Sequence, residues 1–230
     1  MTLHIFDLDQ TVINSDHRTL PAICPVTQNL DLAHYRKLAT HDNIMLDKLL
    51  PLAEYMRELL DSGEKVAIVT ARHLQKSDRV FLRKNGLRAA TICSRDVCHI
   101  ASEFTGLTPV QHSSLKDADY KKLWFKWLAA KRYTQAQTFV VYDDHKGVLE
   151  VARSLGFIAK DAIQLNKMFE RGYRMASNAL LLEVDRLNDD LDQDTIDAYE
   201  AGFSSGYQQA MLDVEKAEAE TMQATFSALA

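Results

Sequence analysis

Two aspartates, Asp7 and Asp9, alternate along the stretch FDLDQT near the start of the chain, with Thr11 two residues further on. Carboxylates this close repel, and one stays protonated unless a cation neutralises them. Phosphate monoesters hydrolyse extremely slowly in water. A carboxylate nucleophile answers that difficulty by forming an aspartyl-phosphate, which divides one hard step into two easier ones.

The other parts of such a site occur further along the chain. Thr70 ends the segment VAIVT and can hydrogen-bond a phosphoryl oxygen, and Asp143 and Asp144 end VVYDD. With Asp7 these acids make an oxygen-only donor set suited to Mg²⁺, which also holds phosphate oxygens. Lys116, Lys121, Lys122 and Lys126 lie close together. Lys121 is the preferred counter-charge for the transferring group, with Lys116 second. Backbone amides in the turn after Asp7 can cradle the remaining oxygens.

These residues need elements to position them. LHIF, KVAIVT, LRAATIC, TFVVYDD and FIAKDAIQL read as five strands, several of them near-continuously apolar. Helical patterns lie between them, over about 44–60, in HLQKSDRVFLRKNG, over about 117–132 and in HKGVLEVARSLG. Alternating strands and helices with buried strands predict an α/β fold, a doubly wound and mainly parallel five-stranded sheet. Ligands of such sheets bind beyond the carboxyl ends of the strands, which is where Asp7, Thr70 and Asp143 fall. Residues 14–29, with Pro21 and Pro25, read as a loop.

DxDxT after the first strand, a Thr closing the second, a helix-borne Lys and a late acidic pair resemble the four motifs of haloacid-dehalogenase-type phosphatases. Here they stand as FDLDQTV, VAIVTAR, DADYKKLWF and VVYDDHK, within residues 1–165. The resemblance implies a Rossmann-like domain with Asp7 as nucleophile, Asp9 as general acid/base, and Thr11, Thr70 and Lys121 around the phosphate. It also implies Mg²⁺ ligated by Asp7, the carbonyl of Asp9, and Asp143, with Asp144 acting directly or through water. Gln10 departs from the family, where many members have Gly.

Stretches 14–42 and 94–115 are too short for a large cap, so an open site is expected. KDADYKKLWFKWLA, with TICSRD before it and VVYDDHKGVLEVARSLG after it, further resembles the phosphatase half of bacteriophage polynucleotide kinase-phosphatases. That resemblance implies removal of 3′-phosphates from nucleic-acid or nucleotide ends, with Arg72 and Arg95 as phosphate contacts. Surface ion pairs are the alternative for both arginines. No GxxxxGK[ST] occurs, so a kinase half has no counterpart. Two other readings are a nucleotidase acting on free mononucleotides and a non-catalytic interaction protein built on the same scaffold.

The chain has 230 residues and net charge −5, unevenly spread. Residues 65–132 carry a net +9, which suits an anionic substrate. Residues 183–230 hold twelve acids against Arg186 and Lys216. Residues 166–230 are expected to form a helical acidic extension whose apolar stripe, from Ile196 to Val214, needs burial. Homo-oligomerisation through that helix is the expectation. No apolar run approaches a membrane span, and acids interrupt the first apolar stretch, so a cytoplasmic location is expected. Cys24, Cys93 and Cys98 form no CxxC pair, which argues against a zinc site or disulfide framework.

Overall fold

The computed structural model describes residues 1–27 and 29–172. Two units are delimited, Met1–Ile163 and a second beginning at Gln164. The Ile196–Val214 stripe lies outside the described residues.

Strand β1 (Thr2–Phe6) is central. The strands β2 (Ile13–Asn14) and β3 (Lys48–Leu49) pair with each other in a small antiparallel ribbon. Strands β4 (Lys65–Val69), β5 (Thr91–Cys93), β6 (Thr138–Asp143) and β7 (Ile158–Asp161) join β1 in a five-stranded sheet of order β5-β4-β1-β6-β7. Every pairing in it is parallel, with Ile5 opposite Ala67 on one side and Val141 on the other. The chain builds outward from β1 through β4 to β5, then returns to β6 on the opposite side of β1. That reversal is the switch point at which open α/β sheets bind ligands.

Between β1 and β4 run α1 (Asp16–Thr19), α2 (Leu32–Leu38), α3 (His41–Met45) and α4 (Leu52–Asp61). Helix α5 (Lys76–Lys84) joins β4 to β5. Three helices, α6 (Cys98–Thr105), α7 (Pro109–Ser113) and α8 (Asp117–Trp127), lead to β6, and α9 (Lys146–Ser154) joins β6 to β7. Among the described residues, no large inserted domain interrupts this unit. Among the described residues no helix is long and apolar enough to cross a membrane.

Side chains alternate across a strand, and β1 uses both faces. Leu3 and Ile5 join Ala67, Val69 and Val141 in a core closed by Tyr120, Trp124 and Phe125 of α8 and Val148 and Ala152 of α9. On the other face Phe6 stacks on Tyr142 with centroids 4.3 Å apart, and Tyr55 of α4 meets both edge-on. Trp124 is therefore a core aromatic, and Trp127 packs against it at 5.3 Å.

Residues 14–29, read as a loop, hold α1 and a 3-10 turn at Leu20–Ala22, and the strand read in FIAKDAIQL gives way to helix after Asp161. The structure departs from the expected helices in two further places. The single helix expected over 44–60 is two helices separated by β3. Pro51 lacks an N–H and disfavours helical geometry in Leu50. Leu50 N instead donates to Val12 O at 3.0 Å. The break frees Asp47 to turn inward. The second departure is at 117–132, where α8 ends at Trp127 and a wider π-type turn covers Leu128–Arg132.

Candidate active site

Backbone pairing fixes the positions of the motif residues. Asp7 follows β1, and its N–H donates to Tyr142 O at 3.0 Å, extending the β1–β6 ladder by one step. Thr70 follows β4, its N–H donating to Cys93 O at 2.9 Å. Asp143 is the last residue of β6. Three adjacent strands thus end in these side chains on one edge of the sheet.

The turn after Asp7 is tight. Leu8 O accepts from Val12 N at 3.0 Å and Ile13 N at 2.9 Å. Gln10 has φ +56°, in the left-handed region that costs a non-glycine residue about 1–2 kcal/mol. Its side chain lies against α1, where Nε2 donates to Asp16 Oδ1 at 2.6 Å. Thr11 is wholly buried in this turn.

Lys121, 3% exposed, projects from α8 into the acidic edge. Its Nζ donates to Asp143 Oδ2 at 2.7 Å and lies 3.0 Å from Asp7 Oδ1. Lys116 is exposed at the N-cap of α8, so burial and contact both select Lys121. Asp7, Asp143 and Asp144 bring ligand oxygens within 4.8 Å of one another. His145, not Asp144, occupies the N-cap of α9, which leaves the Asp144 carboxylate to this cluster.

Burial, with further contributions from Asp143, Asp9 and Asp144, outweighs Lys121 and pushes the Asp7 pKa up to about 8. Burial and Asp143 also raise Asp144. One lysine therefore does not neutralise the cluster. An oxygen-only set of this kind fits a hard divalent cation such as Mg²⁺.

A pH dependence follows. Below about 8 the cation must displace a proton from Asp7, so Mg²⁺ affinity should rise with pH, by up to about tenfold per unit. The same shift has the opposite sign for the metal-free fold. Its contribution is favourable in the ordinary carboxylate range and is lost as pH rises through about 8. Calorimetry in buffers of different ionisation enthalpy would detect the released proton. Affinity flat across the neutral range would contradict the assignment.

Asp9 belongs to a second cluster, an ion-pair network built on two buried arginines. Arg72, 8% exposed, grips Asp9 with both Nη2 and Nε, the latter at 2.9 Å, and reaches Asp78 Oδ1 with Nη1 at 2.9 Å. Ser15 Oγ donates to Asp9 Oδ1 at 2.7 Å. Burial alone would raise the Asp9 pKa, but Arg72 and these hydrogen bonds hold it below the usual range. Behind this pair, Arg18 is buried and doubly bonded to Asp47, at 2.8 and 2.6 Å, and Tyr35 Oη accepts from Arg18 Nη1 at 2.6 Å.

The structure therefore brings Asp7, Lys121, Asp143 and Asp144 together and holds Asp9, two residues on, in the Arg72 network. Thr70 is buried at the same edge, where its Oγ1 accepts from Arg72 N at 3.3 Å. Arg72 is engaged with Asp9 and Asp78 and so is not a free phosphate ligand in this state. Arg95 is committed to packing: it donates to Ala71 O at 2.7 Å and Leu115 O at 2.9 Å and lies over the Tyr120 ring. Ser15, Arg18, Asp47 and Asp78 carry no motif and were not anticipated. The one local signal was Asp78, whose Oδ2 accepts from Gln75 N at 2.8 Å as a helix-start cap.

The chain is a phosphoric monoester hydrolase built on a doubly wound parallel sheet, with an acidic cluster and a buried lysine at the switch point. The family described as Bacteriophage T5 5′-deoxynucleotidase matches residues 1–230, and the chain belongs to it. The 5′-deoxynucleotidase of Escherichia phage T5 is 40% identical over 195 residues, covering 82% of this chain and 77% of that protein. Among solved structures, a haloacid dehalogenase-like hydrolase from Streptococcus pneumoniae aligns with TM-score 0.47 and 15% identity over 69% of this chain and 83% of its own. A second hydrolase, from Streptococcus pneumoniae TIGR4, aligns with TM-score 0.45 and 10% identity over 73% and 97%.

Proposed function

We propose that the chain is a Mg²⁺-dependent 5′-deoxynucleotidase that releases phosphate from free deoxynucleoside 5′-monophosphates through an aspartyl-phosphate on Asp7. The 40% identity to the phage T5 5′-deoxynucleotidase carries the substrate class. The cluster of Asp7, Lys121 and Asp143 supports the chemistry. Mg²⁺ would be held by Asp7, Asp143, Asp144 and the Asp9 carbonyl, and would supply charge neutralisation of the phosphate and of its carboxylate nucleophile.

An Asp7 oxygen attacks phosphorus, the bond to the nucleoside 5′-oxygen breaks, and that oxygen takes a proton from Asp9. Asp9 then removes a proton from water, which attacks the phosphoryl group and returns Asp7 as a carboxylate. Lys121, already between Asp7 and Asp143, offsets charge on the transferring group, and Thr70 can donate to one of its oxygens. The grip of Arg72 holds Asp9 in the base form that the second half needs. Arg72 turning toward an incoming phosphate dianion would release Asp9 to carry the proton for the first half.

A second reading keeps the same chemistry but acts on 3′-phosphates at nucleic-acid ends. The lack of a large inserted domain and the net +9 of residues 65–132 favour it. Phosphate release from deoxynucleoside 5′-monophosphates, 3′-monophosphates, and 3′- and 5′-phosphorylated oligonucleotides separates the two. The primary reading expects the free 5′-monophosphates to give the highest kcat/KM. A preference for the 3′-phosphorylated oligonucleotide would replace it with the second.

A further inference from the structure

Away from the catalytic cluster, α5 and the start of β5 enclose a groove of about 350 Å³. Its lining is Lys76, Arg79, Arg83 and Arg88 around an apolar floor of Leu82, Leu87, Ala89 and Ile92. It shares no residue with the acidic edge or with the Arg72 network. We propose that this groove binds a single-stranded polynucleotide, with backbone phosphates on the cations and a base against the floor.

The cation row has the dimensions of a strand. Lys76, Arg79 and Arg83 share one face of α5 and rise about 10.5 Å along its axis. A row of that length faces more than one phosphate of a strand, whose charges repeat along its backbone. Arg88 extends the row past the end of α5. A single phosphate would need fewer cations, and a triphosphate chain is shorter than the row.

The row is also poorly neutralised. Arg79 pairs with Asp96 at 2.8 Å, while no carboxylate among the described residues is paired with Lys76, Arg83 or Arg88. Asp78, on the same helix, points inward to Arg72. Beneath the cations, half-buried Ala89 and Ile92 offer apolar contact over the buried Leu82 and Leu87. Ile92 belongs to the short edge strand β5, so the strand would lie along an open sheet edge.

The test uses the full chain and a fluorescein-labelled oligothymidylate without terminal phosphates, read by anisotropy. Affinity should fall steeply between about 50 and about 200 mM salt. The double variant Arg83→Glu/Arg88→Glu should bind at least about tenfold more weakly at low salt, with the log–log salt slope shallower by about 1.4. Its hydrolysis of deoxynucleoside monophosphates should match the wild type, which also reports that it folds. If that control fails, Arg83→Gln/Arg88→Gln takes its place. No wild-type binding at low salt, or equal binding by the variant, overturns the proposal. So does displacement of the strand by a deoxynucleoside triphosphate at matching concentration, which would assign the groove to a free nucleotide. None of these results bears on the mononucleotide reaction, so the two readings fail separately.

Discussion

Replacing Asp7 by Asn should cut phosphate release to background, a loss of more than about a thousandfold. An amide has nearly the shape of the carboxylate but cannot form the acyl phosphate on which both half-reactions depend. The fold should survive the change. In the metal-free protein the Asp7 pKa is about 8, so a neutral side chain already occupies this position near neutrality. Urea midpoints measured in chelator should be equal to the wild type or higher. Lost turnover with an intact midpoint separates a missing nucleophile from a misfolded chain. If the purified variant kept a tenth of the wild-type rate, the nucleophile would have to be sought elsewhere.

Lys121→Met should act on stability as much as on rate. The substitution leaves the Asp143 carboxylate, 1% exposed, buried beside a protonated Asp7 without the ammonium that paired with it. Breaking a buried pair on one side costs about 3–5 kcal/mol, because the remaining charge is buried without compensation. The unfolding midpoint in chelator should fall accordingly. Saturating Mg²⁺ should restore part of the loss, since a cation can take over the neutralising role. Adding Asp7→Asn to the variant should change the midpoint in chelator little, since the Asp7 side chain is already neutral there near neutrality. Turnover should drop about a hundredfold or more even with Mg²⁺ present, because charge in the transition state loses a preorganised partner. A wild-type midpoint in chelator would mean that the ammonium contributes nothing to the fold.

Much of this architecture follows from local patterns. The five strands are apolar runs with abrupt polar ends, and each is present within a few residues of its expected limits. The motif residues were legible for the same reason: Asp7, Thr70 and Asp143 mark where the runs stop. In a parallel sheet the ends of neighbouring strands meet at one edge, so residues distant in sequence become neighbours by topology alone. The broken helix over 44–60 was misread because its apolar spacing continues through Pro51, and periodicity does not register a missing N–H.

The sequence by itself determined the strands, their chain order and the acids and lysine available to the acidic edge, because these depend on short-range periodicity and residue type. Only the tertiary structure decided how charges pair. It chose Lys121 over Lys116 by burying the one between Asp7 and Asp143. It turned Arg72 onto Asp9 and locked Arg18 onto Asp47. Desolvated ions take the nearest opposite charge in space, and the partners come from separate elements: Arg72 from the end of β4, Asp9 from the turn after β1, Asp78 from α5 and Asp47 from the break before β3. No spacing along the chain encodes those distances.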